Sequence, residues 1–82
     1  MDTNYALYYS QYCYFCQKVL MSINGRADLD LDLRNTSERQ HHADLVAGGG
    51  KTQVPCLRID HGNGKVEWMY ESDDIIRFLA NV

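Results

Sequence analysis

Two cysteines three positions apart, Cys13 and Cys16, constrain this chain more than any other feature. The apolar, aromatic run Tyr5-Ala6-Leu7-Tyr8-Tyr9 leads into them, and Phe15, Val19, Leu20 and Ile23 follow at helical spacing. A strand that runs into Cys-x-x-Cys at the opening of a helix is the outline of a thiol–disulfide site. The helix start supplies the physical reason. Its free backbone N–H groups and the positive end of its dipole favour a thiolate on the first cysteine. The second cysteine, one turn later, can attack a mixed disulfide on the first and release the product.

Composition narrows the field. With 82 residues, one domain spanning 1–82 is expected, and 45% apolar residues suffice for one modest core. The formal net charge is -3 and no basic block is present, so neither nucleic acid nor an anionic membrane surface is expected as a partner. No stretch is long and apolar enough to span a bilayer. Asp2 and the polar–apolar alternation after it do not read as a signal peptide. A reducing, cytoplasmic setting is the default that follows. Three cysteines, an odd number, suit a redox pair plus a single thiol better than a secreted disulfide framework.

Residues 5–9 read as a buried strand, and Ser10-Gln11-Tyr12 as the loop that delivers the cysteines. The first helix is expected from about Tyr14 to Asn24, with Gly25 at its C-cap. Leu29-Asp30-Leu31-Asp32-Leu33 alternates apolar with acidic, the pattern of a strand with one wet face, and its closeness to the helix implies a parallel pair with the first strand. Ser37 and Gln40 have capping-box spacing for a second helix. Ala43, Leu45 and Val46 would form its apolar face, and Gly48-Gly49-Gly50 its end. Val54–Ile59 and Val66–Tyr70 read as strands joined by a turn at His61-Gly62-Asn63-Gly64. Ser72 would cap the last helix, with Asp73 and Asp74 in its first turn and Ile75, Ile76 and Leu79 as its buried stripe. The expected fold is α/β, β-α-β-α-β-β-α, with a mixed four-stranded sheet flanked by three helices. No Gly-x-Gly-x-x-Gly and no phosphate-binding loop appears.

On these residues the chain resembles a glutaredoxin, a small member of the thioredoxin fold, over essentially its whole length. The match is carried by the Cys-x-x-Cys after the first strand, Thr52-Gln53-Val54-Pro55 before the third, the Gly-containing hairpin and Glu71-Ser72-Asp73-Asp74 opening the last helix. Glu71-Ser72 also resembles the Glu-Ser pair in the N-terminal domain of glutathione transferases, which share the fold. Two departures are plain: Tyr14 stands where glutaredoxins usually carry proline, and Ser10 where they carry lysine.

The resemblance implies a glutathione-dependent thiol–disulfide oxidoreductase. Cys13 would be its nucleophile and Cys16 its resolving cysteine, and Tyr14, Gln53, Val54, Pro55, Glu71, Ser72 and Asp73 would hold glutathione. It implies a cis bond before Pro55, which would turn the Val54 backbone toward Cys13 and offer it to an extended peptide. The start of the last helix would bind the γ-glutamyl carboxylate, and Asp73 its amine. Glutathione would be a co-substrate. Glutathionylated or disulfide-bonded proteins would be the partners, the protein a monomer, and no metal is expected. The transferase likeness carries a different implication: a glutathione- or partner-binding module with little turnover. Without a helical second domain, conjugation of bulky electrophiles is not expected.

Blander readings stand beside these. Cys13 and Cys16 with Cys56, His41, His42 and His61 could contribute to a zinc site, but no second Cys-x-x-Cys or finger spacing accompanies them. Cys56 reads as core, since free cysteine is among the most buried residue types. His41 and His42 read as a solvated helix face, Phe15 as core, and Tyr12 and Tyr14 as exposed around Cys13 or simply packed. Lys51, Arg39 and Gln40 are candidates for the positive or polar contact that Ser10 does not supply.

Overall fold

Side chains along β1 (Asn4–Tyr9) alternate between two apolar layers, and this alternation organises the whole molecule. Tyr5 and Leu7 face one layer, Ala6 and Tyr8 the other. The computed structural model describes residues 3–82; Asp2, part of the argument against a leader peptide, lies outside the described residues. β1 is followed by α1 (Tyr14–Ser22), β2 (Leu31–Asn35), α2 (Arg39–Gly49), β3 (Cys56–Asp60), β4 (Val66–Met69) and α3 (Ser72–Ala80). The sheet order is β2-β1-β3-β4, parallel between β1 and β2 and antiparallel at the other two pairings. This is the expected thioredoxin-like α/β fold.

α1 and α3 pack on one face of the sheet, where Val19, Ile75 and Leu79 close over Leu7, Leu57 and Ile59. The other face is smaller and aromatic. There Leu45 of α2 joins Ala6, Tyr8 and Cys56, with Val54, Trp68 and Tyr70 against them. Cys56 is fully buried, as expected, and burial pushes its thiol up to about 11.

Several local expectations are corrected by packing. α1 ends at Ser22, and Gly25 sits beyond the cap in a left-handed turn at φ 86°. β2 begins at Leu31, two residues later than the alternation suggests. As an edge strand it leaves Leu33 about half exposed, so its face is less apolar than the pattern implies. The Ser37–Gln40 capping box does not form: Glu38 is the α2 N-cap, and the Ser37 N–H is taken by the Asn35 side chain. α2 buries Leu45 alone of its expected face; Ala43 and Val46 are exposed.

The helix also runs through Gly48 and Gly49 and stops at Gly50, whose φ is 81°. A Cβ on Gly48 would collide with the Trp68 indole, and one on Gly49 with the Tyr70 hydroxyl. The first two glycines therefore permit close helix–sheet approach, and only the third ends the helix. His41 is half-buried with its ring on the Asn35 carbonyl and the Glu38 carboxylate, whereas His42 is exposed. β3 and β4 are each shorter than read, and a five-residue connection joins them, closed by the His61 N–H on the Lys65 carbonyl. Finally, Glu71 and not Ser72 is the α3 N-cap; Ser72 is the first helical residue.

Candidate functional site

Cys13 occupies the N-cap of α1, half-buried and in an extended conformation. Its own sulfur does the capping, accepting the Cys16 N–H at 3.2 Å. A sulfur placed there receives one of the orphan donors of the helix start, and that bond strengthens when the sulfur is ionised. The Cys13 thiol points toward the Val54 carbonyl, 3.8 Å away and 41 residues on in sequence. The Val54–Pro55 bond is cis.

Cys16 is wholly buried one turn later, and its sulfur accepts the Ser10 N–H at 3.4 Å. Burial, reinforced by the neighbouring Cys13 sulfur, pushes its thiol up to about 12. The two cysteines are therefore unequal. One meets solvent at the mouth of the helix; the other is a neutral thiol beneath it at physiological pH.

Beside Cys13 runs a groove of about 160 Å³. Gln53, Val54, Pro55, Glu71 and Ser72, five of the residues singled out from sequence, line it together. β3 and β4 are neighbours in the sheet, so the segment entering one and the segment leaving the other meet at the same end. Two further residues line the groove and were not foreseen: Phe15 and Tyr70. Phe15 is 54% exposed and stands outside the core. The buried seam of α1 is instead Cys16 and Val19, with Leu20 and Ile23 half-buried against the same cluster. The 16-19-20-23 spacing was the signal available for that. Tyr70 donates its hydroxyl to the Gly49 carbonyl at 2.7 Å, and the Lys51 ammonium lies 4.8 Å over its ring. That contact fixes the aromatic wall against the end of α2.

Two of the residues expected to bind glutathione, Tyr14 and Asp73, lie outside this lining, as does Tyr12. Tyr14 is 75% exposed, its ring edge-on to Phe15, and Tyr12 is 91% exposed. Asp73 is engaged by the Lys18 ammonium at 2.7 Å, which holds its carboxyl below the usual carboxylate range. A larger hollow of about 550 Å³ lies toward the far end of α3, lined by Tyr5, Phe78 and Val82 among others; neither cysteine borders it. Among the described residues no group of three or more His, Cys, Asp or Glu side chains is arranged to hold a metal ion.

The sequence from residue 7 to residue 81 matches the family model described as glutathione S-transferase, N-terminal domain. The chain belongs to this family. No curated protein matches the sequence significantly. Among solved structures, the crystal structure of the J-Trx1 fragment of ERdj5 superposes with a TM-score of 0.59 at 14% identity, over 98% of this chain. The chain spans 42% of that longer one, and at this identity the likeness speaks for the thioredoxin fold alone. Membership in the transferase N-terminal family and the fold together make this a redox- or glutathione-related module.

Proposed function

We propose that this transferase N-terminal-like domain is a glutathione-dependent thiol–disulfide oxidoreductase. The observation that carries the reading is the placement of the Cys13 sulfur at the start of α1, beside a groove that begins at the Val54 carbonyl and ends at the start of α3. An extended tripeptide thiol laid along that groove would pair with the Val54 backbone and bring its sulfur to Cys13. Its γ-glutamyl carboxylate would lie near the backbone N–H groups of Ser72 and Asp73. Gln53, Pro55 and Glu71 complete the walls, Phe15 and Tyr70 contribute apolar area, and Tyr14 flanks the nucleophile.

In the proposed reaction the Cys13 thiolate attacks the glutathione sulfur of a glutathionylated protein. The protein–glutathione S–S bond breaks, a Cys13–glutathione disulfide forms, and the protein thiolate leaves and takes a proton. A second glutathione thiolate then attacks the bound glutathione sulfur. Oxidised glutathione departs and the Cys13 thiolate is restored; the incoming glutathione thiol is the reductant, and the other sulfur of the departing disulfide is the one that came with the substrate. Alternatively Cys16 attacks the Cys13 sulfur and releases reduced glutathione, leaving a Cys13–Cys16 disulfide for later reduction. The high Cys16 thiol value favours the first route. The protein acts as a monomer in a reducing, cytoplasmic setting in this reading, and no metal takes part.

Family membership favours a second reading, a glutathione- or partner-binding module with little turnover. One assay separates the two: reduction of a glutathione mixed disulfide coupled to glutathione reductase, for the wild type and Cys16→Ser. Turnover in both is expected. Glutathione binding without turnover in either would replace the oxidoreductase with the binding module.

A further inference from the structure

Lys18 and Asp73 form the only ion pair that joins α1 to α3 among the described residues. The contact spans 55 positions of sequence and is short, 2.7 Å between Nζ and Oδ1. It lies beside the groove without lining it: Ser72 faces the groove, while its neighbour Asp73 is turned to α1. Both side chains are substantially exposed, so the pair can be exchanged for another partner at low cost. Arg77, one turn along α3, adds a second cation to the field at Asp73 although its own partner is Asp74. A ligand ammonium approaching Asp73 therefore meets a site that already holds one cation and faces another.

We propose that Lys18 is a specificity-determining residue, the resident cation on Asp73 that a ligand's α-ammonium must displace. This rests on the reading that the groove takes glutathione. Two cations cannot share Oδ1 without repelling each other, so the favourable contact with an incoming ammonium is offset by the loss of the one already made. The groove then discriminates weakly between a γ-glutamyl end and the same chain without its amino group. Affinity rests instead on the carboxylates and the strand-like backbone pairing near Val54.

The test uses two unreactive thioethers, S-methylglutathione and its analogue lacking the α-amino group, titrated calorimetrically into the wild type, Lys18→Gln and Lys65→Gln. Lys65 lies in the distant β3–β4 connection and controls for net charge. The wild type is expected to prefer the amino ligand by no more than about threefold. Lys18→Gln should raise that preference by roughly two- to fivefold through tighter binding of the amino ligand alone. Lys65→Gln should leave it unchanged. An unchanged or reduced preference in Lys18→Gln, with both ligands still bound, overturns the role of Lys18 and leaves the glutathione reading intact. Failure of every protein to bind either ligand overturns the glutathione reading and this inference with it.

Discussion

The starts of α1 and α3 lie on the same side of the sheet and are finished in opposite ways. At α1 the N-cap side chain closes the helix on itself, with the Cys13 sulfur taking the Cys16 N–H. At α3 the N-cap is Glu71, whose side chain makes no capping bond, and the first helical residue, Ser72, faces the groove. The difference is one of use. A closed start directs its orphan donor at a reacting sulfur. An uncapped start leaves its donors to whatever anion enters. Acidic residues behave accordingly: α1 has none in its first turn, while α3 has Asp73 and Asp74, which also favour the helix by themselves.

The comparison breaks most severely if Cys13 is not the reacting group. Cys13→Ser should reduce mixed-disulfide turnover to background while the circular dichroism spectrum stays unchanged; retained turnover would sink the mechanism. Next comes the packing that holds the two starts together. Leu79→Ala removes a fully buried side chain from the α1–α3 layer and should cost about 2–5 kcal/mol in urea unfolding.

The α3 start can be probed without removing the helix. Ser72 is its first helical residue and Glu71 before it is extended at ψ 127°, a setting that accepts proline at position 72. Ser72→Pro deletes one donor N–H and should weaken glutathione binding about tenfold. Ser72→Ala, which keeps that N–H, should change it far less. Equal losses would mean that the hydroxyl, and not the open helix start, is what the ligand meets.

The most diagnostic effect concerns pH. The Cys16 thiol lies near 12, so its thiolate fraction rises about tenfold per pH unit through the neutral range. Release of glutathione from Cys13 by Cys16 in a single turnover, without added glutathione, should accelerate in step from pH 6 to 9. Cys16→Ser should lack this phase. A pH-independent release would show that Cys16 ionises far more easily than its burial implies.

Much of this architecture is legible along the chain. The continuous apolar run of β1, the cysteine pair at a strand–helix junction and the Asp-rich opening of α3 each follow from local pattern or from the chemistry of a helix end. Departures cluster where a local pattern meets side chains outside that pattern. Ser37 has capping-box spacing, yet the Asn35 side chain takes its N–H first. Gly48 and Gly49 read as breakers but are helical, because Trp68 and Tyr70 pack where their side chains would be. Phe15 has helical spacing to Val19, yet α1 buries Cys16 and Val19, with Val19 against α3, while Phe15 lines the groove.

The sequence by itself determined the order of the elements and the pairing of a cysteine at a helix start with a second one a turn later. These depend on residues within one or two turns of each other. The tertiary structure alone decided that Val54 lies against Cys13, that Phe15 and Tyr70 wall one groove with Ser72, and that Asp73 is held by Lys18. Those contacts join residues tens of positions apart. Their geometry is set by strand order and register across the sheet and by which helix faces close on it, and no short-range periodicity encodes either.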